Sequence, residues 1–144
     1  MKYLNYKFSV ALFFVFLISC SKTVQQKDLQ KLNGYWEIDL VESAHKKIKK
    51  YGMNTTVDFF NIDDKGKGYR KKMKPDFSGK YKTNHIKDTL QVVFKNEHFI
   101  LQTRTAYDSW EEIIVKLTDD ELVLENDKGI LFHYRKHKKY NFNE

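Results

Sequence analysis

From Gly34 to Arg135 the apolar and polar positions alternate in short runs, with turn residues every eight to twelve positions. That is the pattern of half-buried strands. Residues 35–41 set Trp36, Ile38 and Leu40 on one face and Tyr35, Glu37 and Asp39 on the other. Similar runs follow at 55–62, 68–74, 77–83, 89–94, 98–105, 110–117, 121–125 and 130–135. The connections are tight, among them Asp63-Asp64-Lys65-Gly66, Lys95-Asn96-Glu97, Thr118-Asp119-Asp120 and Asn126-Asp127-Lys128-Gly129. No long amphipathic stretch of helical period interrupts them. The pattern predicts an all-β fold, an antiparallel up-and-down β-barrel of about eight to nine strands, because closing a meander removes its two unpaired edges. An open sandwich satisfies the same alternation but leaves the edges exposed. Residues 24–32 read as a short helix placed to plug one end.

The first 20 residues follow a different pattern. Lys2 and Lys7 precede an uncharged apolar run over 8–19 that ends in Leu17-Ile18-Ser19-Cys20. A basic start, a short apolar run and a small residue before the cut make a secretory signal peptide. The run is too short for a membrane span, which takes about 20 apolar residues. Its last four residues resemble the bacterial lipobox, with Leu three before the cysteine and Ser just before it. The resemblance implies diacylation of the Cys20 thiol, cleavage after Ser19 and acylation of the new amino terminus. The division expected is a signal peptide over 1–19, lipidated Cys20 and tether over 20–31, barrel over 32–137 and tail over 138–144. The expected location is the bacterial cell envelope, anchored by lipid, with Ser21 after Cys20 favouring the periplasmic side of an outer membrane.

Composition narrows the function classes. The chain of 144 residues carries 26 Lys and Arg against 19 Asp and Glu, a formal charge of +7. Removing residues 1–19 takes away two lysines and no acid, which leaves +5. Cys20 is the only cysteine, so the mature chain forms no internal disulfide and is held by its core alone. The basic runs Lys46-Lys47-Ile48-Lys49-Lys50, Arg70-Lys71-Lys72 and 135–139 read as solvated faces, and an exported chain is no nucleic-acid binder.

At Gly34-Tyr35-Trp36 the sequence resembles the Gly-x-Trp that opens the first strand of lipocalins. The resemblance implies that Trp36 closes the barrel floor and that a basic residue just after the last strand, Arg135 in His133-Tyr134-Arg135-Lys136, packs across it. Over residues 32–136 the chain is also similar to small bacterial lipocalin-like lipoproteins. The matching parts are 33–38, Tyr69-Arg70-Lys71-Lys72 with Pro75 and Gly79, Trp110-Glu111-Glu112, and 121–124. The domain is shorter than a typical lipocalin, and no helix is expected between the last two strands.

No nucleophile motif or Gly-rich phosphate loop is present. Asp63-Asp64 and Asp119-Asp120 sit in turns, where Asp bonds nearby amides. The expectation is therefore no enzyme, no cofactor and no bound metal. His133 and His137 are four apart, ligand spacing on a helix but not on a strand. His45, His85 and His98 are isolated. Large aromatics on the strands either fill the barrel or line a lumen. Phe59, Tyr69, Tyr81 and Phe99, drawn from four strands, are the candidate ligand contacts, with a one-residue register error turning each outward. Arg70, Arg104 and Lys116 either meet an acidic ligand at the mouth or pair with acids on the outer face. The expected function is a membrane-anchored monomer that binds a small hydrophobic or amphipathic ligand. The alternative is a filled barrel acting through its surface as a structural or protein-interaction domain.

Overall fold

The computed structural model describes residues 23–43, 47–52, 54–76 and 78–138. Cys20, the stretch over 1–19 expected to be a signal peptide and the last six residues lie outside them, as do His45 and Phe77. Described strands form one antiparallel sheet: β1 (Gly34–Glu42), β2 (Ile48–Lys50), β3 (Val57–Ile62), β4 (Lys67–Pro75), β5 (Tyr81–Thr83), β6 (Asp88–Lys95), β7 (His98–Arg104), β8 (Ser109–Leu117), β9 (Glu121–Glu125) and β10 (Leu131–Lys136). Pairing runs β1-β3-β4-β6-β7-β8-β9-β10, and β10 pairs back onto β1. Eight strands thus close a barrel. β2 and β5 lie outside the ring, as short partners of β1 and β4. The alternating pattern anticipates the ring but not β2, whose residues Ile48, Lys49 and Lys50 are all exposed and leave no burial signal.

A 3₁₀ helix over Gln26–Leu32 precedes β1. Its first turn is tied by the Asp28 carboxylate, which accepts from the Gln25 backbone N–H at 3.2 Å and pairs with Lys31 at 2.8 Å. Leu29 and Leu32 are 4% and 0% exposed and join the core with Trp36, Phe60, Ile62, Leu90, Val92, Leu101, Ile114, Leu122 and Leu124. The helix is therefore the apolar stopper of one end. Fully burying a Leu side chain is worth about 1.5–3 kcal/mol, so the two leucines hold the stopper against fraying.

Two irregularities change which residues face inward. The β1–β10 register slips between Ile38 and Leu40, and the β8–β9 register slips between Ile114 and Lys116. An extra residue in one strand inverts the alternation beyond it. On β1 the expectation of Trp36, Ile38 and Leu40 on one face is corrected: Val41, opposite inward Phe132, takes the inner place, and Leu40 pairs with outward His133. The Asp39 and Ile38 carbonyls at the bulge accept from the Tyr51 N–H at 2.8 Å and from Asn54 Nδ2 at 2.7 Å.

Candidate functional site

The two ends of the barrel are built differently. At the closed end Trp36 is fully buried, and its Nε1–H donates to the Leu32 carbonyl at 2.7 Å. Lys136, opposite Trp36 in the β1–β10 ladder, places its Nζ 4.1 Å from the ring centroid and donates to the Asn33 and Lys31 carbonyls at 2.7 and 3.0 Å. The ammonium thus caps carbonyls of the 3₁₀ helix and the residue after it, and lies over an indole, the best aromatic partner for a cation. Burial lowers the Lys136 pKa, while Asp119 and Asp120 push it back up. Gly34 makes the approach possible: its φ is +119°, and a Cβ there would stand 3.2 Å from Lys136 Cε and Nζ.

Arg135, expected over Trp36, is on the outer face. It pairs with Glu37 at 2.9 Å and leaves half of its side chain exposed. The physical reason is parity. Tyr134 and Lys136 face inward, and the residue between them cannot. The closed end is thus sealed by Leu29, Leu32, Trp36 and Lys136.

The fold is lipocalin-like. An eight-stranded antiparallel meander, closed through its first and last strands, is plugged at the end where a first-strand tryptophan lies under a basic side chain. No family model matches the chain, and no curated protein does. Among solved structures it is similar to a lipocalin-like protein from Bacteroides uniformis, with 16% identity and a TM-score of 0.47, over 74% of this chain and 99% of that one.

At the other end the barrel is open and charged. β3 leaves β1 after Trp36, β2 takes over the edge from Leu40, and Tyr51, Asn54, Thr55 and Thr56 line the gap. Beneath them lies a cavity of about 370 Å³, walled by Ile38, Val41, Phe132, Tyr134, Asp58 and Lys72. At its base Asp58, 3% exposed, accepts from Arg70 Nε at 2.9 Å and from Lys72 Nζ at 2.9 Å. Arg70 lies against the Phe60 ring, 5.2 Å from its centroid. Burial works against the Arg70 charge, and the Asp58 carboxylate more than restores it, so its pKa stays above the ordinary range. Burial likewise pushes the Tyr134 phenol well above its usual range, with Arg70 opposing.

Glu112 completes the cluster from β8. It is 6% exposed and accepts from Trp110 Nε1 at 3.1 Å. Burial raises its pKa, and Arg70 pulls it back down. Thr103, opposite Trp110 on β7, is 1% exposed and its Oγ1 has no hydrogen-bond partner. The mouth cavity is therefore faced by Asp58, Lys72 and the Tyr134 phenol beside the apolar Ile38, Val41 and Phe132, with the buried Arg70 and Glu112 charges behind them. Asp58, Glu112 and Thr103 escaped the sequence reading because they occupy inward positions normally apolar. Arg70 was legible as a choice between mouth and outer face. It does pair with an acid across strands, but on the inner face.

The four proposed ligand contacts do not converge. Phe99 is buried in the core. Phe59, Tyr69 and Tyr81 lie on the outer face with Tyr35: Tyr35 stacks on Tyr81 at 4.0 Å, Phe59 lies 4.8 Å from Tyr35, and Tyr69 lies 6.1 Å from Phe59. Their neighbours in register explain this, because inward Asp58 and Phe60 flank Phe59 and inward Gly68 and Arg70 flank Tyr69. This outer layer holds the β4–β5 hairpin against β1. The remaining candidates disperse. Arg104 is exposed, and Lys116 pairs with Glu121. His133 Nε2 stands 3.8 Å from Glu42, and His137 lies beside Glu37 and Tyr81. Among the described residues no group of acids and histidines has metal-site geometry.

Proposed function

We propose that the protein is a lipid-anchored, non-catalytic binding module of the cell envelope that holds a small amphipathic ligand in the mouth of its barrel. The observation that carries this reading is the Asp58–Arg70–Lys72 cluster at the base of the mouth cavity. Removing charges from water costs several kcal/mol per ion, and well-packed apolar residues often serve stability as well or better. A fold that keeps such a cluster beside an apolar wall is suited to a ligand with a polar head and an apolar body. The cavity lies at the low end of the volumes that hold small molecules, which favours a short chain or a compact ring over a long lipid. The anchor is the acylated Cys20, since two or three acyl chains hold far more firmly than one.

Titration of the full chain carrying Cys20→Ala with decanoate and with uncharged decanol tests the ligand. Saturable binding of one decanoate per chain, weakened by Lys72→Met while decanol is unaffected, is the expected result. No saturable binding of either would favour the alternative, a filled barrel acting through its surface, to which the solid core from Leu32 to Leu124 lends support. The same Cys20→Ala change should move the protein out of the membrane pellet. A variant that still pellets after salt washing would end the anchor reading.

A further inference from the structure

The chain enters the barrel at the closed end. Thr23 and Val24, the first described residues, lie along a shallow groove with Phe99, Ile114 and Val115. Phe94 sits at the same end, opposite Phe99 in the β6–β7 ladder with ring centroids 5.0 Å apart, and is 65% exposed. Val115, displaced outward by the β8 bulge, is 45% exposed. Phe99 links these residues, meeting Phe94 by its ring and sharing the groove with Val24 and Val115. Lys95 and Lys116 adjoin this apolar rim in the chain, each half-exposed and ion-paired, with Glu111 and with Glu121, and Glu97 and Glu125 also line the groove.

Only Ser21 and Lys22 separate Thr23 from Cys20, a reach of at most about 11 Å however they are arranged. The nine residues of β8 run about 30 Å from the closed end to the mouth. An anchor at Cys20 therefore brings the closed end to the bilayer. We infer that this end is a membrane-docking face, in which Phe94 and Val115 enter the headgroup region of a lipid surface, with the mouth turned away. The inference rests on the acylated Cys20 proposed above. A rim of exposed aromatic and aliphatic side chains beside the anchored end suits the boundary between headgroups and acyl chains. The mouth end also exposes Ile48, Ile86 and Tyr107, the last completely, so the two ends make opposite predictions.

The test uses the full chain isolated from its membranes and reconstituted in vesicles of phosphatidylethanolamine and phosphatidylglycerol. Phe94→Cys and Tyr107→Cys variants each take one polarity-sensitive fluorophore, because acylation occupies the Cys20 thiol. With a quencher-bearing lipid in the vesicles, the label at 94 should shift to the blue and lose most of its emission, and the label at 107 should keep its own. Val115→Cys gives a second reporter, expected to behave like 94, should the Phe94 change disturb folding. Vesicle-bound protein with equal quenching at 94 and 107, or none at either, overturns the orientation while leaving the anchor intact. A chain that takes label at Cys20 and stays in solution overturns the anchor and the orientation together.

Discussion

The two ends of this barrel solve the same problem, a ring of strands that must not stay open to water, by opposite means. At the closed end an apolar stopper is pressed in, Leu29 and Leu32 over Trp36, and the charge of Lys136 serves backbone carbonyls. At the mouth Asp58, Arg70 and Glu112 are buried and the cavity above them remains open. The first arrangement gains from burial and leaves nothing for a ligand. The second pays for desolvated charge and leaves polar groups facing a cavity. The contrast teaches that stability and binding are segregated along the barrel axis, so substitutions at the two ends should fail in different ways.

The largest effect is expected at the closed end. Trp36→Ala removes a fully buried indole and should cost about 3–5 kcal/mol, a large share of a small domain's stability. Urea unfolding would read this directly, and a near-neutral result would mean that the stopper does not hold the fold. At the mouth Asp58→Ala strands the Arg70 charge and should cost about 3 kcal/mol. The double change Asp58→Leu with Arg70→Met should recover most of that loss while abolishing ligand binding. Such recovery would separate the mouth from the closed end, where no pair of changes is expected to restore Trp36→Ala.

Glu112 sharpens the comparison through pH. Its folded pKa is raised by burial, so the native state holds a proton that the unfolded chain releases in the window above the ordinary carboxylate value of 4.5. Stability contributed by this group is therefore present at low pH and lost as pH rises through the folded pKa. Glu112→Gln, still an acceptor for Trp110 Nε1, should raise the melting temperature at neutral pH and change it little at pH 4. An equal shift at both pH values would show that Glu112 is not carrying the titration.

The same contrast governs what the residues disclosed in advance. Alternation with tight turns marks the ring, because apolar burial leaves a period of two, and the resemblance to lipocalins at Gly34-Tyr35-Trp36 marks the closed end. The mouth was hidden because Asp58, Arg70, Glu112 and Thr103 are polar on inward positions, where the alternation names no such residue. Parity did the rest. The bulge at Asp39 exchanges Leu40 for Val41, the lipocalin resemblance points to Arg135 where Lys136 takes the place over Trp36, and a phase one residue off sets Phe59, Tyr69 and Tyr81 in a lumen that Phe60 and Arg70 occupy. Hydrophobic pattern alone does not fix the phase of a strand that is apolar on both faces, and β3 and β4 carry aromatic residues on their outer one.

The smallest effect tests that parity directly. Lys136 lies over Trp36 and holds two carbonyls, whereas Arg135 makes an outer pair with Glu37 and a long contact to the Gly52 carbonyl at 3.5 Å. Lys136→Met keeps most of the side-chain bulk but loses the charge and its hydrogen bonds, and should cost about 1–2 kcal/mol, part of it the two carbonyls left unmet. Arg135→Ala gives up one half-exposed ion pair and should cost under about 1 kcal/mol, falling further with added salt. Burial lowers the Lys136 pKa, so the native state sheds that proton more readily than the unfolded chain, and its contribution to stability rises with pH through the window between the depressed value and 10.5. Lys136→Met should remove this rise, and Arg135→Ala should leave it in place. A double-mutant cycle supplies the decisive figure: Trp36→Phe should couple to Lys136→Met and not to Arg135→Ala. Coupling in the reverse sense would place the phase of β10 one residue away from that described here.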